Sequence, residues 1–394
     1  MSKALEGIKV LELTHVISGP VCGMLLGDLG AEIIKVERPG TGEFYREEAL
    51  KNADGISLIF PNYNRNKKSI TLNYKAEEGR EVLLRLVKWC DILVENFRPG
   101  LLNKMGLGYE ALRGINPGLI MVSISGFGQT GPYAMKPAYD MTIAAYSGLM
   151  SLNGPAGQPT KTGPAVSDFL SGIYGALAAV AALRARERSG EGQYIDVAML
   201  DCAMSILDAF FAQSHFTGVE PGGMGNRRAN YAPVNAFQAK DGAVYIAATL
   251  QKHWEALTRL MGREDLTDDP RCANAIERKK YEPEVEGAVA AWTAGLSSAE
   301  LIQMLETNGI PCAPVLGVKQ ARQDPHVRER ASIMEFDYPG LGAYPVPAFP
   351  PRFSTLETSA RRAPLLGEHD DEVYGGLLGY TQEQIAAWRE KNII

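Results

Sequence analysis

Ile8-Lys-Val-Leu-Glu-Leu-Thr-His-Val-Ile-Ser-Gly-Pro-Val-Cys-Gly-Met-Leu-Leu-Gly-Asp-Leu-Gly-Ala-Glu-Ile-Ile-Lys-Val-Glu37 decides the fold. Residues 8–13 and 31–37 are aliphatic runs that read as strands, and residues 21–29 between them are apolar at helical spacing. Gly30 is the expected helix stop, because glycine enters the left-handed conformation that closes a helix without a Cβ clash. Strand, helix and strand at this spacing make a βαβ unit, which implies parallel strands and a right-handed crossover. Outward from it the alternation continues. A short strand ends the stretch 64–73, and an amphipathic helix over 76–89 carries Val82, Leu83, Leu86 and Val87 on one face. Strands follow at 91–94, 119–124 and 192–198, and a long helix at 200–216. The pattern predicts an α/β fold with a Rossmann-like large domain around a parallel sheet.

A chain of 394 residues exceeds one ordinary core, so two domains are expected. The composition changes after a Gly-rich break at 218–225. Asp241-Gly242 is a hairpin signal ahead of the apolar run 243–248. Helical patterns at 251–261, 281–293 and 298–308 complete a smaller α+β domain, which we place at residues 226–327, and residues 333–353 read as extended. A net charge of −6 argues against a general nucleic-acid binder, which needs an excess of basic residues. The five cysteines are widely spaced without a C-x-x-C pair, and the five histidines are equally scattered. These patterns point to a reducing compartment without a disulfide framework or metal site. The first residues lack an apolar signal core, and the run 173–183 is too short to span a bilayer. A cytoplasmic protein away from the membrane is expected.

Lys161-Thr-Gly-Pro-Ala-Val-Ser-Asp-Phe-Leu-Ser-Gly-Ile-Tyr-Gly175 sets one carboxylate, Asp168, among small residues ahead of a helix predicted over 169–183. Asp is a good N-cap, and capping alone would account for it. The same carboxylate, kept ionised at a helix N-terminus and exposed among small neighbours, also suits a covalent nucleophile. Basic residues recur near the strand ends: Arg38 after the second strand, Arg65, Lys67 and Lys68 before the third, Arg98 and Lys104 after the fourth. Each alone reads as a solvated surface charge. Together, with Phe97 available to stack on a flat base, they predict an anionic ligand of nucleotide type at the carboxyl edge of the sheet. Gly126-Phe-Gly-Gln-Thr-Gly131 matches a dinucleotide fingerprint in letters only. Pro132, Lys136 and Pro137 follow it where a helix is required, so it is read as a tight glycine turn. Glu37 stands where a ribose-binding acid would, but Arg38 beside it suits phosphate better.

Several segments carry a resemblance: Leu11-Glu-Leu-Thr-His-Val-Ile-Ser-Gly-Pro20, Asp28-Leu-Gly-Ala-Glu-Ile-Ile-Lys-Val-Glu-Arg-Pro-Gly40, Asn64-Arg-Asn-Lys-Lys-Ser69, Glu95-Asn-Phe-Arg-Pro-Gly100, Ser125-Gly-Phe-Gly-Gln-Thr-Gly-Pro132 and Gly163-Pro-Ala-Val-Ser-Asp168. With Gly225-Asn-Arg227 and Asn308-Gly-Ile-Pro311, the whole chain resembles the family III CoA-transferases, which include formyl-CoA and carnitine CoA-transferases. The resemblance implies that Asp168 is a nucleophile, passing through a mixed anhydride and an aspartyl-CoA thioester. Tyr139 and Asp140 would lie near the reacting thioester. His15, Val16, Ser18, Arg38, Leu72, Asn96, Phe97, Lys104, Met105 and Lys136 would bind CoA. His15 by itself would read as a packed loop histidine. No permanently bound cofactor or metal is implied, since the CoA thioester is a substrate. The resemblance also implies an interlocked homodimer, and a large domain of residues 1–217 completed by 333–394.

Two departures bear on the substrate. Ala247-Ala-Thr-Leu-Gln-Lys-His-Trp254 holds no glycine where formyl-CoA transferases carry a glycine run, and position 17 is Ile where they have Gln. Oxalate and formate are therefore not expected. The acceptor expected is another small organic acid, a dicarboxylate among them, with succinyl-CoA as a donor. Two other readings compete. An α-methylacyl-CoA racemase requires a His directly before an Asp as part of its acid/base pair, and residue 139 before Asp140 is Tyr. A non-catalytic CoA-binding protein would not need Asp168 in its full motif.

Overall fold

The computed structural model describes residues 2–47 and 50–394. One compact unit comprises Met1–Leu149, Thr162–Ala212 and Glu329–Ile394. At its centre lie six parallel strands: β1 (Lys9–Leu13), β2 (Glu32–Glu37), β3 (Lys67–Thr71), β4 (Ile92–Glu95), β5 (Ile120–Ser125) and β6 (Gln193–Ala198). Their order is β3-β2-β1-β4-β5-β6, so the direction of winding reverses between β1 and β4. That switch point sets the loops after β1 and β4 side by side at the carboxyl edge, where such sheets bind ligands.

Side chains alternate across the sheet with period two, and helices cover both faces. Val10, Ile33, Ile92, Ile120 and Val122 face α1 (Ser18–Asp28) and the later helix of residues 166–189. Leu11, Ile34, Ile70, Leu93 and Met121 face α2 (Glu77–Trp89) on the other side. The C-terminal segment joins that second face through Val373, Tyr374, Leu378, Ile385 and Ile393. Its main chain is tied to β3 and the residues just beyond: His369 N–H donates to Ser69 O at 3.0 Å, and Asn73 N–H to Ile393 O at 2.7 Å.

Two helices differ from the sequence reading. The helix expected over 169–183 runs from Val166 to Ser189, after α3 (Asp140–Tyr146), and is called α4. Asp168 is therefore its third residue and not its cap. At 24 residues α4 is long and apolar enough to cross a membrane by length and composition, against the short run expected, yet half of the apolar stretch is buried in the fold. The helix expected over 200–216 is broken into Met199–Met204 and Phe210–Thr217. Between them Asp208 takes a left-handed backbone (φ 51°), which ends α-helical hydrogen bonding. Residues 126–131 form the expected glycine turn: Gly128 and Gly131 have φ of 83° and 88°, and Gln129 N–H is held by Asp196 Oδ2 at 2.9 Å.

The small-residue stripe of α4 is a packing surface. A Cβ on Gly172 would lie 2.7 Å from Val21 Cγ1 and 2.8 Å from Ser18 O, and one on Gly175 would lie 3.2 Å from Cys22 Sγ. Only glycine lets α4 come this close to the start of α1.

The second compact unit comprises Met150–Lys161 and Gln213–Arg328. It contains an antiparallel sheet of β7 (Val234–Gln238), β8 (Ala243–Ala247) and β9 (Cys312–Pro314). Against it lie α5 (Gln251–Met261), α6 (Glu282–Thr293) and α7 (Ser298–Thr307), with Phe237, Ile246, Trp254, Leu257, Val289 and Leu301 in one core. The boundaries differ from the expected 1–217 and 226–327. Residues 150–161 group with this unit, where Gly225 N–H donates to Gly154 O at 2.6 Å and Gly223 packs on the main chain of Asn153 and Gly154. The extended stretch expected at 333–353 folds as a hairpin in the first unit, β10 (Ile333–Tyr338) against β11 (Gly342–Pro347).

Gly172→Ala is expected to destabilise the protein by about 1–3 kcal/mol, because the added methyl meets packed atoms that cannot recede. Gly163→Ala, where a Cβ meets nothing within 4 Å, is expected to leave stability unchanged. Urea denaturation of the two variants checks the contrast.

Candidate active site

The loop after β1 is built around a conformation its sequence does not favour. Val16, a β-branched residue, has φ 67°, which costs about 1–3 kcal/mol and survives only when its surroundings over-determine it. They do. Val16 N–H donates to Glu43 Oε2 at 2.9 Å. The loop after β4 grips the other side: His15 N–H donates to Asn96 Oδ1 at 3.0 Å, and Asn96 Nδ2 donates to His15 O at 2.8 Å.

Beneath the loop lies a buried ionic cluster that sequence reasoning missed. Glu12 accepts from Lys35 Nζ at 3.0 Å and meets Lys67 Nζ at 2.9 Å, and all three side chains are fully buried. Lys35 also donates to Thr14 O at 2.9 Å, and Lys67 to Pro20 O at 2.9 Å. Burial, opposed by Glu12 and assisted by Lys35, brings Lys67 down to about 8. A charge buried here without its partners would be far more costly than the pairing is worth, so the cluster ties β1, β2, β3 and the loop into one unit.

Asp168 sits on this platform. It is 9% exposed, and Ser18 N–H and the Ser18 hydroxyl, at the first residue of α1, lie near enough to pull its pKa down. Asn96 Nδ2 donates to the same hydroxyl at 3.1 Å. The N-terminus of α4 is capped from outside: Asp140 Oδ1 accepts Ser167 N–H at 2.7 Å. The role first read into Asp168 thus belongs to Asp140. Two expectations change with it. Asp168 is neither solitary nor exposed, and its helix N-terminus does not keep it firmly ionised. Burial and the neighbouring Asp140 carboxylate push its pKa up to about 7, against the pull of Ser18. Near neutral pH it is poised between acid and carboxylate, a state suited to a nucleophile that must also leave.

The structure brings His15, Val16, Ser18, Asn96 and Asp168 together with Asp140. The rings of His15 and Phe97 lie 5.7 Å apart. Burial, with Lys35 and Arg38 nearby, lowers the His15 pKa to about 4, so the ring is neutral. Arg38, Arg98 and Lys104 are exposed and have no carboxylate partner among the described residues. The other expected cations are spent on structure. Arg65 grips Asp28 through two bonds of 2.8 and 2.6 Å, Lys67 belongs to the Glu12 cluster, and Lys68 bridges Glu32 and Glu372 at 2.6 Å each. Glu37 is equally occupied, by Arg46 at 2.7 Å, and is no ribose acid.

Leu72 is buried in the core, with its N–H taken by Glu37 O. Met105 packs half-buried on the same core. Lys136 stands over the Tyr133 ring at 3.5 Å and donates to Tyr146 Oη at 3.0 Å. Tyr139 is 64% exposed immediately before α3. Glu43, missed from sequence, is signalled there only by the Gly40-Thr-Gly42 turn that precedes it.

Because folding raises the Asp168 pKa above its unfolded value near ~3.9, stability is expected to fall as pH rises from about 4 to about 7. Asp168→Asn removes that effect. It is expected to gain on the order of 2 kcal/mol over the parent at pH 8 and much less at pH 5, read from urea midpoints. Asp140→Asn keeps the cap oxygen but removes the charge, and is expected to move the acid limb of the pH–rate profile below its position near 7.

Residues 5–370 match the profile of CoA-transferase family III. The chain is 36% identical over 395 residues to succinyl-CoA–D-citramalate CoA-transferase of Chloroflexus aurantiacus, covering 100% of this chain and 98% of the relative. It is 38% identical over 382 residues to succinyl-CoA:mesaconate CoA-transferase of Haloarcula marismortui, covering 94% and 95%. Among solved structures, a CAIB/BAIF family protein from Brucella suis superposes with a TM-score of 0.87 at 35% identity, over 96% of this chain and 100% of that one. With matches spanning the sheet, the switch-point loops and Asp168, the chain belongs to CoA-transferase family III and is a CoA-transferase.

Proposed function

We propose that this protein moves coenzyme A from succinyl-CoA to a small dicarboxylic acid, with Asp168 as the covalent nucleophile. The observation that carries the reading is the Asp168 carboxylate, buried on Ser18 with its pKa near 7 beside Asp140. An Asp168 oxygen attacks the thioester carbonyl, the C–S bond breaks and CoA thiolate leaves, giving an acyl–aspartyl anhydride. The thiolate then attacks the aspartyl carbonyl and releases the donor's free acid, leaving aspartyl-CoA thioester. The acceptor carboxylate attacks that thioester, and the expelled thiolate finally takes the new acyl group and restores Asp168. Each step exchanges one acyl bond for another, so no net proton or electron is required. In this reading Ser18 N–H and O–H, which pull the Asp168 pKa down, stabilise charge on the aspartyl oxygens.

CoA lies, in this reading, along the switch-point loops. His15, Val16, Ser18, Asn96 and Phe97 flank its thiol arm. Arg38 and Lys104 meet phosphates, Lys136 adds a further cation, and Leu72 and Met105 contribute main-chain and apolar contact. Tyr139 and Asp140 border the reacting carbonyl. The dicarboxylate rests on the citramalate and mesaconate named for the relatives, and on Ile17 and the glycine-free 247–254 stretch, which set this chain apart from formyl-CoA transferases. A homodimer accords with the exposed apolar residues Ile173, Tyr174 and Leu177 on α4.

Asp168→Ala is expected to lose at least about 10³-fold in CoA exchange, the scale on which removing a covalent nucleophile acts. Hydroxylamine added with acyl-CoA should convert the parent's Asp168 to its hydroxamate, detected by peptide mass. Normal turnover by the Ala variant sinks the assignment. Arg38→Ala is expected to raise KM for the CoA thioester about tenfold with little change in kcat, in steady-state assays.

A further inference from the structure

We propose that Tyr45 and Tyr63 wall the acyl subsite beside Asp168, and that their hydroxyls hold the distal carboxylate of a dicarboxylic acyl group. This rests on the transferase reading above and assigns two residues to its substrate selectivity.

Phe169 follows Asp168 directly, and its ring meets Tyr63 edge-on at 5.8 Å. Tyr63 in turn stacks with Tyr45 at 6.1 Å. Both tyrosines are half-buried and pack with Val16, Ala165 and Phe169 over Ile17, Val21 and Met24. The two phenol oxygens thus belong to an apolar cluster beside Asp168, with the Asn62 amide acting on the Tyr63 oxygen. Tyr45 lies two residues beyond Glu43, whose carboxylate accepts the strained Val16 N–H at 2.9 Å.

Among the described residues no cation lies over the Tyr45 or Tyr63 ring. Lys35 and Lys67 are enclosed with Glu12, and Arg46 is committed to Glu37. A second carboxylate on the substrate must accept from neutral donors. The two phenols stay protonated: burial, each other and the Asp168 charge push Tyr45 up to about 12, and burial with Asp168 also raises Tyr63. Phe169, next in the chain to Asp168, seats the Tyr63 ring, and through it Tyr45, beside the nucleophile. The methylenes of a four-carbon acyl chain then lie on Ile17 and Phe169 while its far end meets the hydroxyls. A monocarboxylic acyl group of the same length leaves both hydroxyls without a partner, and site polar groups left unpaired discriminate strongly.

The test compares succinyl-CoA with butyryl-CoA, which has the same four carbons and no distal carboxylate, on the parent enzyme and on Tyr45→Phe and Tyr63→Phe. The parent is expected to favour succinyl-CoA about 100-fold in kcat/KM, and each variant to reduce that ratio about tenfold, the scale of one hydrogen bond to a charged group. A parent that uses both donors equally overturns the inference without touching the protein variants. So does a ratio unchanged in both variants. Absence of CoA transfer from either donor is a different result, which sinks the transferase reading and this inference with it.

Discussion

The Asp168 carboxylate seated on the first residue of α1 is the contact on which the site depends. It requires α4 to approach α1 within van der Waals range of its main chain, which Gly172 permits. It requires Ser18 to be held by Asn96 from the loop after β4, and so it requires β1 and β4 to be neighbours. The winding reversal of the sheet is thus a condition of the chemistry as well as of the fold. A carboxylate buried in this way is held against its own preference for water, and part of that cost is offset by the pull of the Ser18 N–H and hydroxyl.

The loop that presents Ser18 carries strain at Val16, and the restraints on it are unusually polar for a buried region. Glu43 holds one side, Asn96 the other, and the Glu12–Lys35–Lys67 cluster supports it from below. Interaction of this kind contributes little net stability compared with an apolar core. What it supplies is a single arrangement. Gly23 records how closely: a Cβ there would fall 1.8 Å from Glu12 Oε2. The loop that presents Ser18 is thus fixed from three sides by polar contacts.

Charge is distributed accordingly. Three of the six basic residues near the strand ends, Arg65, Lys67 and Lys68, are consumed in ion pairs that close the fold, while Arg38, Arg98 and Lys104 remain exposed among the described residues without a carboxylate. A chain of net negative charge thereby keeps three unpaired cations near the strand ends. His15, neutral beside Lys35 and Arg38, adds a flat ring without adding charge.

What the sequence determined by itself was local and periodic. Aliphatic runs with period two, helical spacing between them and glycine stops led to the strands of the sheet within one or two residues, because those signals arise from neighbouring positions. The ordered motifs pointed to the family and to Asp168 for the same reason. The tertiary structure alone decided how the carboxylate is used. That Asp140 caps α4, that Asp168 is buried with a pKa near 7, that Arg65 and Glu37 are spent on partners, and that residues 150–161 leave the first unit all follow from contacts between distant segments. A side chain's letter states which bonds it is able to make. Only the packing of α4 on α1, and of both on the switch point, decides which bond it makes.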